Sequence, residues 1–248
     1  MEALGTSELL FAMVVVTVAF AVRGTTGFGG NAIAVPLLTL ILPINAVLAV
    51  MTVLTVFSSL GHWIMHWRRI VWREIARVAP FMLAGVVLGL YLFKALDTRT
   101  VTRFLGGFVI LYAVFAMATA KRTVSPPRSW LWPLATMLSA LAGLVGTLFG
   151  GVAGPLYAIY LNTLELDKDR FRVTITTILM VQALLRIAGY YTLGFYDRAT
   201  VLLLIAGLPL VWAGSRIGDR IALNIDQHTF NAAVGAVLMV SGAVLLFK

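Results

Sequence analysis

Two polar side chains that could bind an anion lie within an apolar stretch of the second half of the chain. Arg186 and Gln182 are four residues apart, so they share one face of a helix. A charged side chain at the centre of a membrane span costs about 3 kcal/mol on insertion scales, and it therefore needs a compensating partner. Arg186 is either a counter-charge for an anion or a buried or snorkelling arginine that holds helices together.

Glycine-rich breaks interrupt the apolar sequence near the start of each half. The first contains Gly24, Gly27, Gly29 and Gly30, and the second contains Gly146, Gly150, Gly151, Gly154 and Pro155. Glycine weakens a helix by about 1 kcal/mol per residue relative to alanine, and proline removes a backbone donor. Non-helical backbone at membrane depth is tolerated only inside protein or beside a cavity. Paired breaks therefore predict a transport site where they meet.

Further candidates for an anion site lie at these breaks. Half-helices beginning near Asn31 and Pro155 would direct partial positive charge and free N–H groups towards a ligand, and Arg23 would add a guanidinium. Alternatively, Arg23 reaches lipid headgroups, and Thr26, Asn31 and Thr147 cap freed backbone groups. The predicted substrate-binding set is Arg186, Gln182, Arg23, Thr26, Gly29, Gly30, Asn31, Thr147, Gly151, Gly154 and Pro155.

Other chemistry has little support in the sequence. His62 and His66 lie four residues apart without a neighbouring carboxylate or thiolate, so we assign no metal; a proton relay and interfacial packing stay open. The chain has no cysteine, and G-x-S-x-G, P-loop, Rossmann and EF-hand patterns are absent. We expect neither an enzyme nor a cofactor.

The composition is that of a polytopic membrane protein. Of the 248 residues, 60% are hydrophobic and 12% are charged, with a mean hydropathy of +0.97. Soluble domains carry about 25% charged residues. Eight apolar runs approach spanning length: 9–22, 46–63, 79–93, 101–120, 131–145, 173–191, 200–213 and 230–247. Two shorter runs, 32–42 and 156–161, follow the breaks. We predict an all-α membrane protein of about ten helical segments, eight spanning and two half or re-entrant.

The two halves of the chain resemble each other. Pro80, Gly85 and Gly89 recur at a constant offset as Pro209, Gly214 and Gly218. At the breaks, either Phe28-Gly29-Gly30 pairs with Phe149-Gly150-Gly151 or, as we prefer, Gly27 and Gly30 pair with Gly151 and Gly154. We predict one membrane domain, 1–248, built from repeats at 1–122 and 128–248. Five segments per repeat is an odd number, so the repeats should be inverted.

The net charge of +9 fits basic cytoplasmic loops better than nucleic-acid binding. Placing residues 68–77 in the cytoplasm puts twelve cationic residues inside and five outside, with both termini extracytoplasmic. Arg69, Arg73 and Arg77 recur every fourth residue and predict an amphipathic helix on the cytoplasmic surface. No basic residue precedes Arg23, so we expect the first apolar run to be retained rather than cleaved as a signal peptide.

The glycine motifs carry a resemblance to a known family. Gly24-x-Thr26-Gly27-Phe28-Gly29-Gly30 with Ala34-Val35-Pro36-Leu37-Leu38, and the second break with Ile159-Tyr160-Leu161, resemble the TauE/SafE family of sulfite and organosulfonate exporters. Phe171-Arg172 at the start of the Arg186 helix belongs to the same resemblance, whereas Ala153 stands where the family commonly has glycine. The resemblance to this family implies a bacterial inner-membrane carrier for sulfite, sulfoacetate or other sulfonates, with protons as a candidate coupling ion.

The expected partners are a small anionic substrate and membrane lipid, without nucleic acid, and a homodimer is one open assembly. The rival interpretation is a channel-like or accessory membrane subunit without its own transport cycle, in which the glycines serve close helix packing.

Overall fold

The structure is a computed structural model that describes residues 6–26, 28–119, 131–221 and 238–248. These residues form helices and connecting turns, with no strand among them. The helices are α1 (Thr6–Thr26), α2 (Gly30–Thr39), α3 (Ile44–His66), a short 3-10 helix (Trp67–Arg69), α4 (Trp72–Ala95), α5 (Thr98–Thr119), α6 (Leu131–Leu148), α7 (Gly154–Asn162), α8 (Lys168–Thr192), α9 (Arg198–Ile221) and α10 (Leu238–Phe247). The predicted all-helical fold is confirmed.

Five helices in the described ranges are long and apolar enough to cross a membrane, namely α1, α3, α4, α8 and α9. The two helices after the glycine breaks, α2 and α7, have 10 and 9 residues and are too short to span alone, as predicted. Large apolar side chains such as Leu10, Val87 and Leu202 are exposed, whereas Arg186 and Asn31 are buried. An apolar exterior around a polar interior suits a protein surrounded by lipid.

Each short helix begins where the sequence predicts. Gly29 precedes α2 in the left-handed conformation, with φ of 92°, which residues with a Cβ adopt only at a steric cost. Pro155 lies in the first turn of α7, where its missing N–H would have no helical partner in any case. The half-helix starts expected near Asn31 and Pro155 are thus Gly30 and Gly154.

The helix contacts follow a two-fold pattern. α1 packs on α9 and α4 packs on α6, while α3 and α8 pack against each other between them. If each helix number is shifted by five, so that α1 becomes α6 and α9 becomes α4, the first two pairs exchange places. The α3–α8 pair is unchanged. This is the pattern that two five-helix repeats would produce. The proposed boundary between 122 and 128 lies outside the described residues, so the extents and inversion of the repeats stay predictions.

Glycine residues allow close packing of the helices in the α1–α9 and α4–α6 pairs. A Cβ at Gly85 of α4 would overlap the carbonyl oxygen of Ala140 in α6, and one at Gly218 of α9 would overlap that of Ala21 in α1. Glycines at these interfaces let the helix backbones touch, which is how lipid-embedded helices gain packing energy.

Aspartate residues precede three of the described helices. Asp97 precedes α5, Asp167 precedes α8 and Asp197 precedes α9, and each carboxylate accepts a hydrogen bond from the backbone N–H three residues on. Hydrogen bonds from the side chain and then the backbone of Thr200 hold the pKa of Asp197 below its ordinary value, because they favour the charged carboxylate.

The arginine run differs from the sequence prediction. Arg69 lies in the 3-10 helix, whereas Arg73 and Arg77 lie in the first turns of α4, so there is no single surface helix. The backbone N–H of Val71 donates to the Thr174 hydroxyl of α8 at 3.1 Å, which pins the connection against the bundle. The arginines at every fourth residue therefore lie in two helical elements that a turn separates, rather than in one continuous helix.

Candidate functional site

The two glycine breaks are in contact, as predicted. The side-chain amide of Asn31 donates to the carbonyl oxygen of Gly150 at 2.6 Å, which joins the first break directly to the second. A Cβ at Gly154 would lie 2.9 Å from Cβ of Phe28, so the two helix starts also touch. The contact lies level with Thr55, halfway along α3. The breaks therefore meet beside the middle of α3.

Side chains of α3 hold the first-half residues of the site. The Asn31 amide donates to the Thr55 hydroxyl at 3.0 Å, and one turn further on the Ser59 hydroxyl donates to the Thr55 carbonyl oxygen at 2.7 Å. Nη2 of Arg23 donates to Oγ of Ser59 at 2.9 Å. Arg23 is only 5% exposed, so it is not directed into solvent. These contacts position Asn31 and Arg23 along one face of α3.

Arg186 lies on the opposite side, on α8, and is 1% exposed. Its Nη1 donates to the carbonyl oxygen of Gly146 at 2.5 Å, and one turn later the Tyr190 hydroxyl donates to that of Thr147 at 2.5 Å. Both acceptors are in the last turn of α6, where carbonyl groups lack intrahelical partners and carry partial negative charge. The end of α6 thus supplies part of the compensation that a buried guanidinium requires.

The second break presses against this guanidinium. Gly151 has φ of 88°, and a Cβ there would lie 2.8 Å from Nδ2 of Asn31 and 2.9 Å from Nη2 of Arg186. The Gly151 amide itself donates to the Gly146 carbonyl at 2.7 Å. Gly151 therefore gives Asn31 and Arg186 room to converge, while its own N–H is used within the turn.

The electrostatic balance of the site is positive. The charges of Arg23 and Arg186 are close enough to repel each other, and no carboxylate among the described residues pairs with either. The electrostatic neighbours of Arg186 are instead Tyr157, Tyr190 and Tyr196. Buried charges are ordinarily paired, so two buried arginines with only hydroxyl and carbonyl partners favour a negatively charged ligand.

Unused hydrogen-bonding atoms surround the same place. Within the described residues, Nε of Arg186, Oε1 of Gln182 and the hydroxyl oxygens of Tyr157 and Tyr196 are buried without a partner. Such atoms cost free energy unless a ligand or water satisfies them. A small anion with several oxygen atoms would accept from the guanidinium and from the tyrosine hydroxyls.

Several predicted site residues have other roles. The side-chain amide of Gln182 donates to the carbonyl oxygen of Ala142 in α6 at 2.8 Å, so it ties two helices together rather than offering this donor to a ligand. The Thr147 hydroxyl donates to the Gly143 carbonyl at 2.8 Å, and a Cβ at Gly89 of α4 would contact Thr147, which therefore faces α4.

The remaining glycines have mainly conformational roles. Gly29 and Gly30 form the start of α2, where a Cβ at Gly30 would overlap the Ala19 carbonyl of α1. Gly154 and Pro155 form the start of α7. Gly27 and the Thr26 side chain lie outside the described residues, so the prediction for Thr26 stays open.

Sequence reasoning missed Thr55, Ser59, Tyr157 and Tyr196. A signal existed for the first two, because Thr52, Thr55 and Ser59 form a buried polar stripe on a span that is otherwise apolar.

Arg172, at the start of α8, donates to the Gly24 carbonyl at the end of α1. The described residues contain no group of three side chains that could hold a metal ion.

Long apolar helices around short helices that begin at a buried cationic site define a polytopic membrane transporter. The chain belongs to the sulfite exporter TauE/SafE family, whose family model matches residues 11–245. It is 26% identical over 193 residues to "Probable inner membrane transporter protein TsaS" of Comamonas testosteroni, with 77% of this chain and 79% of that protein covered. No solved structure matches the chain. The resemblance in the glycine motifs is confirmed, and both matches indicate an integral inner-membrane transporter rather than an enzyme.

Proposed function

We propose that this protein is a secondary transporter of small sulfur-containing anions, such as sulfite, sulfoacetate or other organosulfonates, with protons as the candidate coupling ion. The observation that carries the proposal is the buried pair Arg23 and Arg186, which lacks a carboxylate partner among the described residues and lies where the two helix breaks meet. The family supports the choice of a sulfur oxyanion.

The geometry suggests how such an anion would be held. Arg186 has one N–H on the Gly146 carbonyl, while its Nε lacks a partner in the described part of the chain. A planar guanidinium binds a sulfonate or sulfite through two parallel hydrogen bonds, which a lysine does not reproduce. The first turns of α2 and α7 would add backbone N–H groups from the two breaks. Arg23, hydrogen-bonded to Ser59, would supply the second positive charge.

The test is uptake of labelled sulfite, with a panel of sulfonates as competitors, into proteoliposomes containing the wild type, Arg186→Lys or Arg186→Gln. Saturable uptake that analogues inhibit is expected of the wild type. Both variants should insert into the membrane but lose most transport. The lost hydrogen bonds between the charged guanidinium and the anion should weaken binding by about 2–3 kcal/mol or more. Arg170→Gln is the control, since Arg170 is exposed beside Asp167 at the start of α8.

Wild-type uptake by both Arg186 variants would give Arg186 a purely structural role and would make Arg23 the leading binding residue. Absence of saturable flux in the wild type would instead favour an accessory or channel-like subunit. Imposing a pH gradient in the same vesicles tests the coupling, because a proton-coupled transporter accumulates the anion against its gradient only when the pH difference is present.

A further inference from the structure

A groove opens between α3 and α9, at the ends of these helices that the positive-inside rule places at the cytoplasm; most of its lining is apolar, and it also carries two arginines. It has a volume of about 830 Å³, and its lining includes Ser58 of α3 and Trp212, Ser215, Arg216 and Arg220 of α9. The volume lies within the range of small-molecule sites. None of these residues belongs to the site at the helix breaks.

The described lining of the groove includes two positive charges. Arg216 and Arg220 are four residues apart, so they project from the same face of α9. No ion pair joins either to a described carboxylate, and the Arg216 guanidinium lies 5.4 Å from the ring centroid of Trp212. Two cations beside one cleft are suited to an oxyanion.

The groove adjoins the buried arginines. A Cβ at Gly24, the residue after Arg23, would lie 3.0 Å from the carbonyl oxygen of Ser215. On the other wall, Ser58 precedes Ser59, whose hydroxyl accepts the hydrogen bond from Arg23. Each wall of the groove therefore contains a serine at or beside a residue that contacts Arg23 or its neighbour Gly24.

The opposite end of the site is closed. Leu90 of α4 fills the space above Gly189 of α8. The ring of Phe195 lies 5.1 Å from that of Phe93 and 5.3 Å from that of Tyr190, measured between centroids. Because Tyr190 is one turn beyond Arg186, these rings cover the arginine on that side. The groove, in contrast, opens beside Arg216 and Arg220 on the other side of the described bundle.

We propose that the groove is a capture site for small oxyanions, in which Arg216 and Arg220 bind the substrate before it reaches Arg23 and Arg186. This proposal rests on the proposed transport function. A cationic cleft raises the local concentration of an anion and its association rate, and both effects weaken as salt screens the charges. The phosphate of an anionic lipid has the same chemistry, so the experiment must separate the two sources.

The first experiment measures initial uptake rates of labelled sulfite at low ionic strength, using proteoliposomes of uncharged phosphatidylcholine with substrate added on the groove side. Arg216→Gln/Arg220→Gln is expected to raise KM roughly tenfold while the maximal rate changes by less than about twofold. Added salt should raise KM of the wild type but not of the double variant. Arg198→Gln, at the other end of α9, is the matched control and should keep wild-type values.

An unchanged KM in the double variant would overturn the proposal. A defect that appears only in vesicles containing phosphatidylglycerol would assign the groove to a lipid headgroup and would also overturn it.

The second experiment separates the groove from transport itself. Sulfite is titrated into detergent-solubilised Arg186→Gln while tryptophan fluorescence is followed, because Trp212 lies beneath Arg216. A saturable signal that Trp212→Phe or Arg216→Gln/Arg220→Gln abolishes would establish binding in the groove even if no variant transports sulfite. If wild-type protein transports sulfite and this signal is missing, the transport function stands and the capture site falls.

Discussion

At the scale of single residues, the site depends on side chains that are buried together rather than paired by opposite charge. Arg186 is held by a carbonyl at the end of α6, and Asn31 by Thr55 and the Gly150 carbonyl. Gly151 lets these two side chains approach each other, because any side chain at its position would touch both. The absence of a Cβ at this residue is therefore part of the site's geometry.

Gly151→Ala should reduce sulfite transport by about tenfold or more, because a displaced guanidinium loses its alignment with the anion. The new methyl group would lie 2.8 Å from the Asn31 amide and 2.9 Å from the Arg186 guanidinium. Proteoliposome uptake measures the effect. Gly194→Ala is a matched control, since Gly194 is also left-handed, with φ of 76°, but has open space where a Cβ would lie. Equal losses in both variants would mean that backbone strain, rather than the site contact, is responsible.

At the scale of helices, the short arms and the close glycine interfaces perform separate tasks. α2 and α7 bring the breaks to the middle of the bundle, whereas the α1–α9 and α4–α6 pairs form the close-packed flanks. Glycines serve both, so glycine content alone does not distinguish a ligand site from a packing surface.

Gly85→Ala should destabilise the protein by about 1–3 kcal/mol, the usual cost of overpacking, because its Cβ would overlap the Ala140 carbonyl of the neighbouring helix. Gly107→Ala on α5 provides the contrast, since its nearest new contact is 3.9 Å away at Leu246. Thermal unfolding in detergent, followed by size-exclusion chromatography, should show a lower midpoint for Gly85→Ala alone. A normal midpoint for Gly85→Ala would mean that α4 and α6 separate at little cost.

At the scale of the whole molecule, the distribution of basic residues predicts which side of the membrane each helix end faces. Lys248 at the end of α10 donates to the carbonyl oxygens of Thr39 and Leu40, which places the chain end beside the end of α2. We expect both to be extracytoplasmic. Alkaline phosphatase fused after Lys248 should be active and green fluorescent protein dark, whereas fusions after Arg122 should show the reverse. Fluorescence from the Lys248 fusion would invert our orientation.

Sequence reasoning recovered the parts of the fold and site that leave a local signal. The breaks, the short helices and the placement of Arg186 inside a span follow from glycine, proline and charge in apolar sequence. It did not recover which helix each side chain faces: Gln182 and Arg186 share a face, yet Gln182 contacts α6, and Thr147 turns towards α4. Periodicity defines a face of a helix, whereas its neighbour is determined only by tertiary packing.

The unmatched charge of Arg23 and Arg186 has an electrical consequence. An empty site keeps both positive charges, whereas in a loaded site the anion cancels one or both of them. The two states therefore differ in net charge. Moving one unit charge through 100 mV is worth about 2.3 kcal/mol, so the membrane voltage acts more strongly on the empty site as it changes sides. Net sulfite flux, which requires that step, should respond to a potassium diffusion potential more than sulfite exchange does. Equal voltage responses would mean that another group cancels the charge of the empty site.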